Sequence, residues 1–499
     1  MIRAYDVSSV RAAEATAMAD LDEGELMSRA ASGLATIASA RLGGSGGLDG
    51  RRVVALVGAG NNGGDALYAA ALLAQDGATV VVLKVAESAH VGGLRAAQDA
   101  GASVLHAVGV HADSQSMLAS ALSEAELVID GIVGIGGHPG LSPQVEGLLR
   151  EVSDAAYVLA VDLPSGADPD GEVATHSCVY ADETVTFIAP KPVHLLPATE
   201  PAVGRLTVVD IGVEIGGAPA VERVTRDDVA WLWPCPGPGD DKYSRGVLGI
   251  VAGGENYTGA ALLAVLSAVC AGAAMVRYVG PPTPTLIVRS QVPEAVIGEG
   301  QVQAWLIGPG IDAGEDSTEG QAQRLAAQSA LNSGLPCVVD AGGLELIIEP
   351  RSTPTLLTPH AGELARLLSR LDAPVDRVTV AGAPLAHARR LADLTNSTVL
   401  LKGATTLVAS PTSSNLPVRA QADAPSWLAT AGSGDVLAGL VGMLLASGLT
   451  PMDAGSVGAL VHGLAADAAN PGGPIRALGV AHAIPGVVAA LLARRTPRS

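Results

Sequence analysis

Aromatic side chains make up only 2% of the 499 residues, with a single Phe, so no core here is built around stacked rings. The interior must come from Ala, Val, Leu and Ile, with 61 glycines where backbones approach closely. That composition suits parallel sheets buried between helices. Basic residues are scarce too: 30 Lys and Arg against 50 Asp and Glu leave a net charge of −20. Such a field argues against nucleic acid as a partner. An anionic ligand must therefore be held by local helix ends. Cysteine is rare, and Cys178, Cys235, Cys270 and Cys337 stand far apart without metal-ligand spacing. They read as reduced, mostly buried thiols of a cytoplasmic protein. The N-terminal stretch MIRAYDVSSVRAAEA has no apolar core of a signal peptide. The longest apolar run, Ala260 to Val276, is broken by Ser267, Cys270 and Gly272. It reads as one buried helix and not as a membrane span. No Walker-type G-x-x-x-x-G-K-[ST] occurs in the second half, which argues against a P-loop enzyme.

What is present is a strand–helix rhythm. The length predicts two domains of roughly 200–280 residues. Residues 8–40 read as one long helical region ending at the glycine run 43–47. Strands are expected at 52–57, 79–83, 103–106, 126–130, 157–162 and 183–188, with helices between them. The pattern lapses into loop composition over 212–245. It resumes with strands near 246–251, 303–307, 336–340, 355–358 and 398–402. The expected domains are 1–220 and 221–499, each a parallel sheet covered on both faces.

In the first half, the first strand ends at Gly58-Ala59-Gly60-Asn61-Asn62-Gly63-Gly64-Asp65. Gly58, Gly60 and Gly63 satisfy G-x-G-x-x-G, which leaves a dinucleotide-binding reading open. Lys84 stands where that reading wants a ribose-binding acid, and Asp65 would oppose a pyrophosphate. Two further strands end in acids. Asp130 precedes the glycine-rich Gly134-Ile135-Gly136-Gly137-His138-Pro139-Gly140, and Asp162 precedes Leu-Pro-Ser165-Gly166. Carboxyl ends of parallel strands converge on one crevice, so Asn62, Asp130, Asp162 and Ser165 are expected in one polar pocket.

In the second half, Gly432-Ser433-Gly434-Asp435 leads straight into an apolar helix. Small residues at a helix start leave amides bare toward an anion. An acid beside such a cradle is what phosphoryl transfer to a hydroxyl requires of its base. A plain glycine-rich turn before a helix is the alternative. Lys402-Gly403-Ala404-Thr405-Thr406 offers small and hydroxylated residues to a nucleotide. Gly308-Pro309-Gly310 and Gly253–Ala260 end two more strands, and Thr358-Pro359-His360-Ala-Gly-Glu363 a third. His360 reads as a substrate contact or as a helix cap.

The first set, GNNGGD, D-G-I-V-G-I-G-G, V-D-L-P-S-G and Ala189-Pro190-Lys191, resembles the NAD(P)H-hydrate epimerase domain across almost all of 1–215. The resemblance implies a potassium ion held by Asn62, Asp130 and Ser165. It implies substrate contacts from Asn61, Asn62, Gly63, Gly64 and Asp65, from residues 134–140, and from Asp162. Asp162 and Lys191 are the candidates for moving the proton that inverts the hydroxylated ring carbon. The second set resembles the ribokinase-like fold, and T-P-H-x-G-E with Y-T-G-A its NAD(P)H-hydrate dehydratase branch, over about 225–499. That implies hydrate contacts at Ala260, Gly310, His360 and Asp435. The nucleotide would lie on Lys402–Thr406 and on Gly432, Ser433 and Gly434. Asp435 would be the base, with ADP as co-substrate and magnesium beside it.

The expected fold is thus a Rossmann-like three-layer αβα domain followed by a ribokinase-like α/β domain. The expected function is repair of hydrated NADH and NADPH: exchange of the R and S epimers, then ADP-dependent dehydration of the S form with release of AMP and phosphate. Two alternatives stay open at this point. One is a ribokinase-type small-molecule kinase fused to a dinucleotide-binding domain, and the other a non-catalytic scaffold. A homo-oligomer without nucleic-acid or membrane partners is the expected assembly.

Overall fold

The computed structural model describes residues 1–43, 47–107, 112–312 and 314–495. It divides into two compact units, one of Arg3–Val221 and one of Met1–Ile2 with Glu222–Ser499. Part of the glycine run expected to close the first helical region, residues 44–46, lies outside the described residues.

β1 (Ile2–Ala4) straddles the division, and the first unit continues with α1 (Val7–Met18) and α2 (Glu25–Arg41). The single helical region expected over 8–40 is therefore two helices. Gly24 separates them at φ 83° as the N-cap of α2. There follow β2 (Arg52–Val57), α3 (Asn61–Gln75), β3 (Thr79–Lys84), α4 (Val91–Asp99), β4 (Ser103–His106), α5 (Ala112–Ser123), β5 (Leu127–Gly131), α6 (Pro143–Leu149), β6 (Tyr157–Val161), β7 (Glu183–Phe187) and β8 (Arg205–Val209). The sheet order is β4-β3-β2-β5-β6-β7-β8, with every pairing parallel. The pleat sends alternate residues to opposite faces. Val53, Ala55 and Val57 pack with Leu34 of α2, Leu67 of α3 and Ala97 of α4. Val54 and Leu56 pack instead with Leu118 and Leu122 of α5 and Val145 of α6. The sheet is the middle of three layers. β8, absent from the sequence expectation, is a half-exposed edge strand and lacks a continuous apolar run.

Chain order reverses at β2, which has β3 on one side and β5 on the other. Ligands of open parallel sheets bind at such a reversal, outside the carboxyl ends. Here the two loops touch backbone to backbone. A Cβ on Gly58 would lie 1.9 Å from the carbonyl oxygen of Ile132, so only glycine fits.

The second unit runs β9 (Val221–Arg223), α7 (Arg226–Leu232), β10 (Val247–Val251), α8 (Thr258–Cys270), β11 (Met275–Val279), α9 (Pro282–Gln291), β12 (Val296–Ile297), β13 (Ala304–Ile307), α10 (Thr318–Leu331), β14 (Cys337–Val339), β15 (Thr355–Leu357), α11 (Ala361–Leu371), α12 (Arg377–Gly382), α13 (Pro384–Thr395), β16 (Thr398–Leu401), β17 (Thr406–Ala409), β18 (Val418–Gln421), α14 (Ser433–Ala446), α15 (Pro451–Ala469) and α16 (Ala477–Leu492). From β18 the sheet order is β18-β17-β16-β15-β14-β13-β10-β11-β12. Pairing is parallel from β16 to β12 and antiparallel for β16-β17-β18. Leu248, Ile250, Leu306, Leu356 and Leu400 meet α8, α14, α15 and α16 in one large core.

Two expectations are corrected here. The apolar run 260–276 is not one helix: α8 stops at Cys270, Gly272 turns the chain at φ 95°, and Met275 begins β11. The stretch 212–245, expected as loop, contains α7, whose start is fixed by a reciprocal capping box between Thr225 and Asp228. Among the described residues no helix is long and apolar enough to cross a membrane. The reversal in this sheet lies between β10 and β13. Gly308 follows β13 at φ 121°, where a Cβ would lie 1.8 Å from the Asp340 carbonyl oxygen.

Candidate active sites

In the first unit, β5 and β6 deliver Asp130 and Asp162, and α3 delivers Asn62. The Ser165 amide donates to Asp130 Oδ2 at 2.8 Å and its hydroxyl to Oδ1 at 2.6 Å. The Ile132 amide donates to Oδ1 at 3.3 Å. Asn62 Nδ2 donates to the Val161 carbonyl at 2.6 Å. A Cβ on Gly134 would stand 2.8 Å from Asn62 Oδ1, so the glycine loop closes over that amide. Asn62, Asp130, Ser165 and the loop from Gly134 are thereby neighbours. Asp130 is fully buried and no cationic side chain pairs with it among the described residues. Burial pushes its carboxyl up to about 6, although hydrogen bonds from Ser165 and Ile132 pull the other way. Arg11 Nη2 donates to the Ile135 carbonyl at 3.2 Å, and the Gly140 amide to Gly166 at 2.8 Å. His138 stays exposed, its Nδ1 3.3 Å from the Pro139 carbonyl oxygen.

Asp162 and Lys191 form a buried ion pair. Thr186 donates to Asp162 Oδ1 at 3.0 Å and accepts from Lys191 Nζ at 2.8 Å. Burial alone would raise Asp162, but Lys191 outweighs it and holds the carboxyl below its ordinary value. Asp162 sits at φ 66°, a conformation costly for a residue with a Cβ. Its amide is anchored to the Val185 carbonyl at 2.7 Å. His194 completes the cluster. Its Nδ1 accepts from the Lys191 amide at 2.9 Å, so Nε2 carries the proton toward the Asp162 carbonyl at 2.8 Å. Burial lowers this imidazole to about 4, so it stays neutral.

A cavity of about 990 Å³ opens in this unit, lined by Glu14, Asn61, Asp65, Tyr68, His90 and Phe187 among others. Asp65 is buried at its wall. Burial, then Asp162 and Glu14, hold its carboxyl well above the carboxylate range. Burial also raises Glu14. Sequence reasoning missed Glu14 because it lies on α1, away from every strand end. It missed Thr186 and His194 because neither carries a motif.

In the second unit, the carboxyl ends of β14, β15 and β16 meet the start of α14. Lys402 Nζ donates to Asp340 Oδ1 at 2.8 Å and lies 3.7 Å from Glu363 Oε2. Thr358 donates to the same Asp340 oxygen at 2.8 Å. A Cβ on Gly434 would stand 3.5 Å from Lys402 Nζ, which sets the lysine at the helix start. Asp435 lies in the first turn of α14, after Gly432 at φ 85°. Burial, then Asp340 and Glu363, push Asp435 up to about 7 against the pull of Lys402. Burial lowers Lys402, but the three acids outweigh it and hold the ammonium above its usual value. Ala260 and Gly310 are also neighbours, since a Cβ on Gly310 would lie 2.8 Å from that of Ala260.

His360 is the cap of α11. Its Nδ1 accepts from Gly362 and Glu363 at 3.0 and 3.2 Å, while its own amide donates to Glu363 Oε2 at 2.8 Å. With Nδ1 accepting, Nε2 carries the proton; it lies 3.6 Å from Glu363 Oε2 on a half-exposed ring. Lys402 is tied into the acid cluster, whereas Thr405 is buried and Thr406 opens β17. Asp340 was missed, although it ends a strand as Asp130 and Asp162 do.

Two acid clusters at the carboxyl ends of parallel strands, one at the β2/β5 reversal and one beyond β14, β15 and β16, define a two-domain α/β enzyme. A family model described as YjeF-related protein N-terminus matches residues 23–193, and one described as NAD(P)H-hydrate dehydratase matches 248–476. The chain is 42% identical to the bifunctional NAD(P)H-hydrate repair enzyme Nnr of Mycobacterium tuberculosis over 465 residues, 89% of each chain. It is 42% identical to the protein of the same name from Mycobacterium leprae, over 94% of each. A solved structure of the ADP/ATP-dependent NAD(P)H-hydrate dehydratase of Bacillus subtilis, co-crystallised with ATP/Mg2+, aligns at 25% identity and TM-score 0.47. It covers 54% of this chain and 97% of that one. The chain belongs to the family of bifunctional NAD(P)H-hydrate repair enzymes.

Proposed function

We propose that the first unit exchanges the R and S hydrates of NADH and NADPH, and that the second dehydrates the S form with ADP, releasing AMP and phosphate. The observation that carries the second activity is Asp435 itself. An acid poised near neutrality in the first turn of a helix can take the proton of a hydroxyl while the Gly432 and Gly434 amides face the transferring phosphoryl group, the Ser433 amide being held by the Thr430 carbonyl. Phosphate then leaves where hydroxide would not, and the dihydronicotinamide is restored. Ala260, Gly310 and the half-exposed ring of His360 hold the hydrate in this reading. Lys402–Thr406 and Ser433 hold the nucleotide. Asp340, Glu363 and Asp435 outnumber the single Lys402 charge, which suits a nucleotide that arrives with magnesium. Among the described residues no cluster of three or more His, Cys, Asp or Glu forms a metal cage. Lys402→Met is expected to raise the KM for ADP more than tenfold with a smaller fall in kcat, read from nucleotide titrations at saturating hydrate.

In the first unit, Asn61–Asp65 and the loop 134–140 bind the hydrate beside Asp162 and Lys191. The paired ammonium of Lys191 supplies positive charge where an oxyanion develops on the hydroxylated carbon. A potassium ion fits the all-oxygen set of Asn62, Asp130 and Ser165, because Asp130 is a buried carboxylate with no side-chain counter-ion. Its role is charge balance and fixing of the glycine loop. With the folded pKa near 6 against 3.8, Asp130 contributes stability below pH 4 that is lost as pH rises through 6. Potassium is therefore expected to raise Tm most above pH 6, and Asp130→Asn to abolish that gain. A Tm equally responsive to sodium would count against the site. We retain the cytoplasm as the compartment and a homo-oligomer as the assembly, the latter to be read by light scattering.

The deciding experiment is near-UV absorbance of mixed NADH hydrates with the chain, magnesium and potassium, and ADP or ATP in parallel. Recovery of the dihydronicotinamide band to completion, faster than the hydrates epimerise unaided, supports both activities. Recovery that stops at the S fraction removes the first, and no recovery favours a kinase with another hydroxyl substrate.

A further inference from the structure

The proton carriers of the N-terminal site are open to a sharper assignment, which rests on the epimerase reading above. Asp162 and Lys191 are each other's partners: the carboxylate oxygen Oδ1 already receives Lys191 and Thr186, and Lys191 Nζ is also held by Thr186. Moving a proton through that pair means breaking a buried ion pair. The wall of the 990 Å³ cavity offers two carboxyls in a different state. Asp65 is 9% exposed and receives no hydrogen bond among the described residues. Glu14 lines the same cavity from α1. An acid that meets no hydrogen-bond donor of the protein and lines a ligand-sized space is a candidate to act on what enters it.

We propose that Glu14 and Asp65 are the acid–base couple of the N-terminal site, one protonated and one ionised when the hydrate enters. The electrostatics agree: burial raises both carboxyls, and Asp162 and Glu14 act on Asp65 in the same sense, while Lys191 and Arg11 hold Glu14 down. Asp22, Glu23, Glu25, Tyr68 and His90 are the other titratable groups on the cavity wall; Glu25 is paired with Arg29, and Asp22 and Glu23 are exposed to solvent. Glu14 acts on Asp65 as a like charge across the cavity, which disfavours ionising both and leaves one as donor and the other as acceptor. The hydroxylated carbon of the hydrate is bonded to the ring nitrogen. The ionised carboxylate takes the hydroxyl proton as the carbon–nitrogen bond breaks and a carbonyl forms. The carboxylic acid gives its proton to the nitrogen that leaves with the bonding pair. The carbonyl turns its other face, and the reverse steps close the ring with inverted configuration. Protons and electrons balance over the cycle, and the couple returns to its starting charge.

The test uses the full chain and the R hydrate without nucleotide, with epimers resolved by chromatography. Glu14→Gln and Asp65→Asn are each expected to lower kcat about 10²-fold or more with KM changed only a few-fold. The double variant should be no worse than the poorer single one, as for groups acting as a unit. Formate should restore part of the rate in Glu14→Ala, which a packing role would not allow. ADP-driven clearance of the S hydrate by the same preparations should stay at the parent rate. A variant that keeps kcat within about threefold of the parent overturns the couple, as does a loss confined to KM or a folded Glu14→Ala that formate leaves inert. A parent chain that does not exchange the epimers overturns the epimerase reading and this inference together. A parent that exchanges them as fast as Glu14→Gln overturns this inference alone.

Discussion

Replacing Asp435 by Asn is expected to lower ADP-driven recovery of the dihydronicotinamide band roughly 10²–10⁴-fold, while epimer exchange in the same chain continues. The amide keeps the size of the side chain and its place in the first turn of α14 but cannot take a proton. The pH profile of the parent follows from the same environment. Burial with Asp340 and Glu363 nearby puts the Asp435 carboxyl near 7, so the dehydratase rate should rise as pH passes through about 7. Stability runs in the opposite sense. The folded pKa lies above the ordinary 3.8, so the group contributes stability below about 4 that is lost as pH rises through 7. Ligand-free Asp435→Asn should therefore melt above the parent at pH 8, with the gap closing toward pH 4. A site that costs stability in order to hold a base shows this signature. Loss of both activities in a folded variant would mean that the chain does not carry two independent sites.

The second large effect concerns Asp162. Asp162→Ala leaves the Lys191 ammonium, 2% exposed, without its counter-charge. Breaking a buried pair in this way costs about 3–5 kcal/mol. Epimer exchange should disappear and the Tm of the N-terminal unit should fall. Because a fall in stability alone could explain lost activity, the paired variant Asp162→Asn/Lys191→Met separates the two. It removes both charges, so it should recover most of the stability and none of the exchange. Recovery of both would make the pair a structural strut with no part in the chemistry. In the parent, Asp162 is held below its ordinary value, so its contribution is present above pH 4 and is lost as acid protonates it.

The parts of this architecture legible in the sequence share one cause. In the first unit the strands at 52–57, 79–83, 126–130 and 157–162 announce themselves because a parallel strand covered by helices on both faces is close to a continuous apolar run. Asp130, Asp162 and the Gly432–Asp435 helix start are legible because each sits where a strand ends or a helix begins. Asp340 obeys the same rule, after Cys337–Val339 and before Gly342-Gly343, but the strand that carries it is only three residues long and gives a weak signal. β8 and β11 were lost for opposite reasons. One is a half-exposed edge, and the other is fused in the sequence to an apolar helix with only Gly272 to mark the join. Glu14, Thr186 and His194 could not be read at all. Their relevance comes from what tertiary folding places beside them: a cavity wall, an ion pair and a neutral ring tautomer. His360 was left between substrate contact and cap. The structure makes it the cap of α11 and leaves its ring half exposed.

Both crevices have floors made of main chain. Gly58 lies against the Ile132 carbonyl in one sheet, and Gly308 against the Asp340 carbonyl in the other. No side chain there has to leave a preferred rotamer when a ligand arrives. The entropy of ordering on binding should then fall on the rim loops and on the ligand's own torsions. In calorimetry, a ligand truncated to the part that rests on the floor should bind with little unfavourable protein entropy. Extension toward residues 134–140 in the first site, or toward 402–406 in the second, is where enthalpy gained and freedom lost should begin to offset each other.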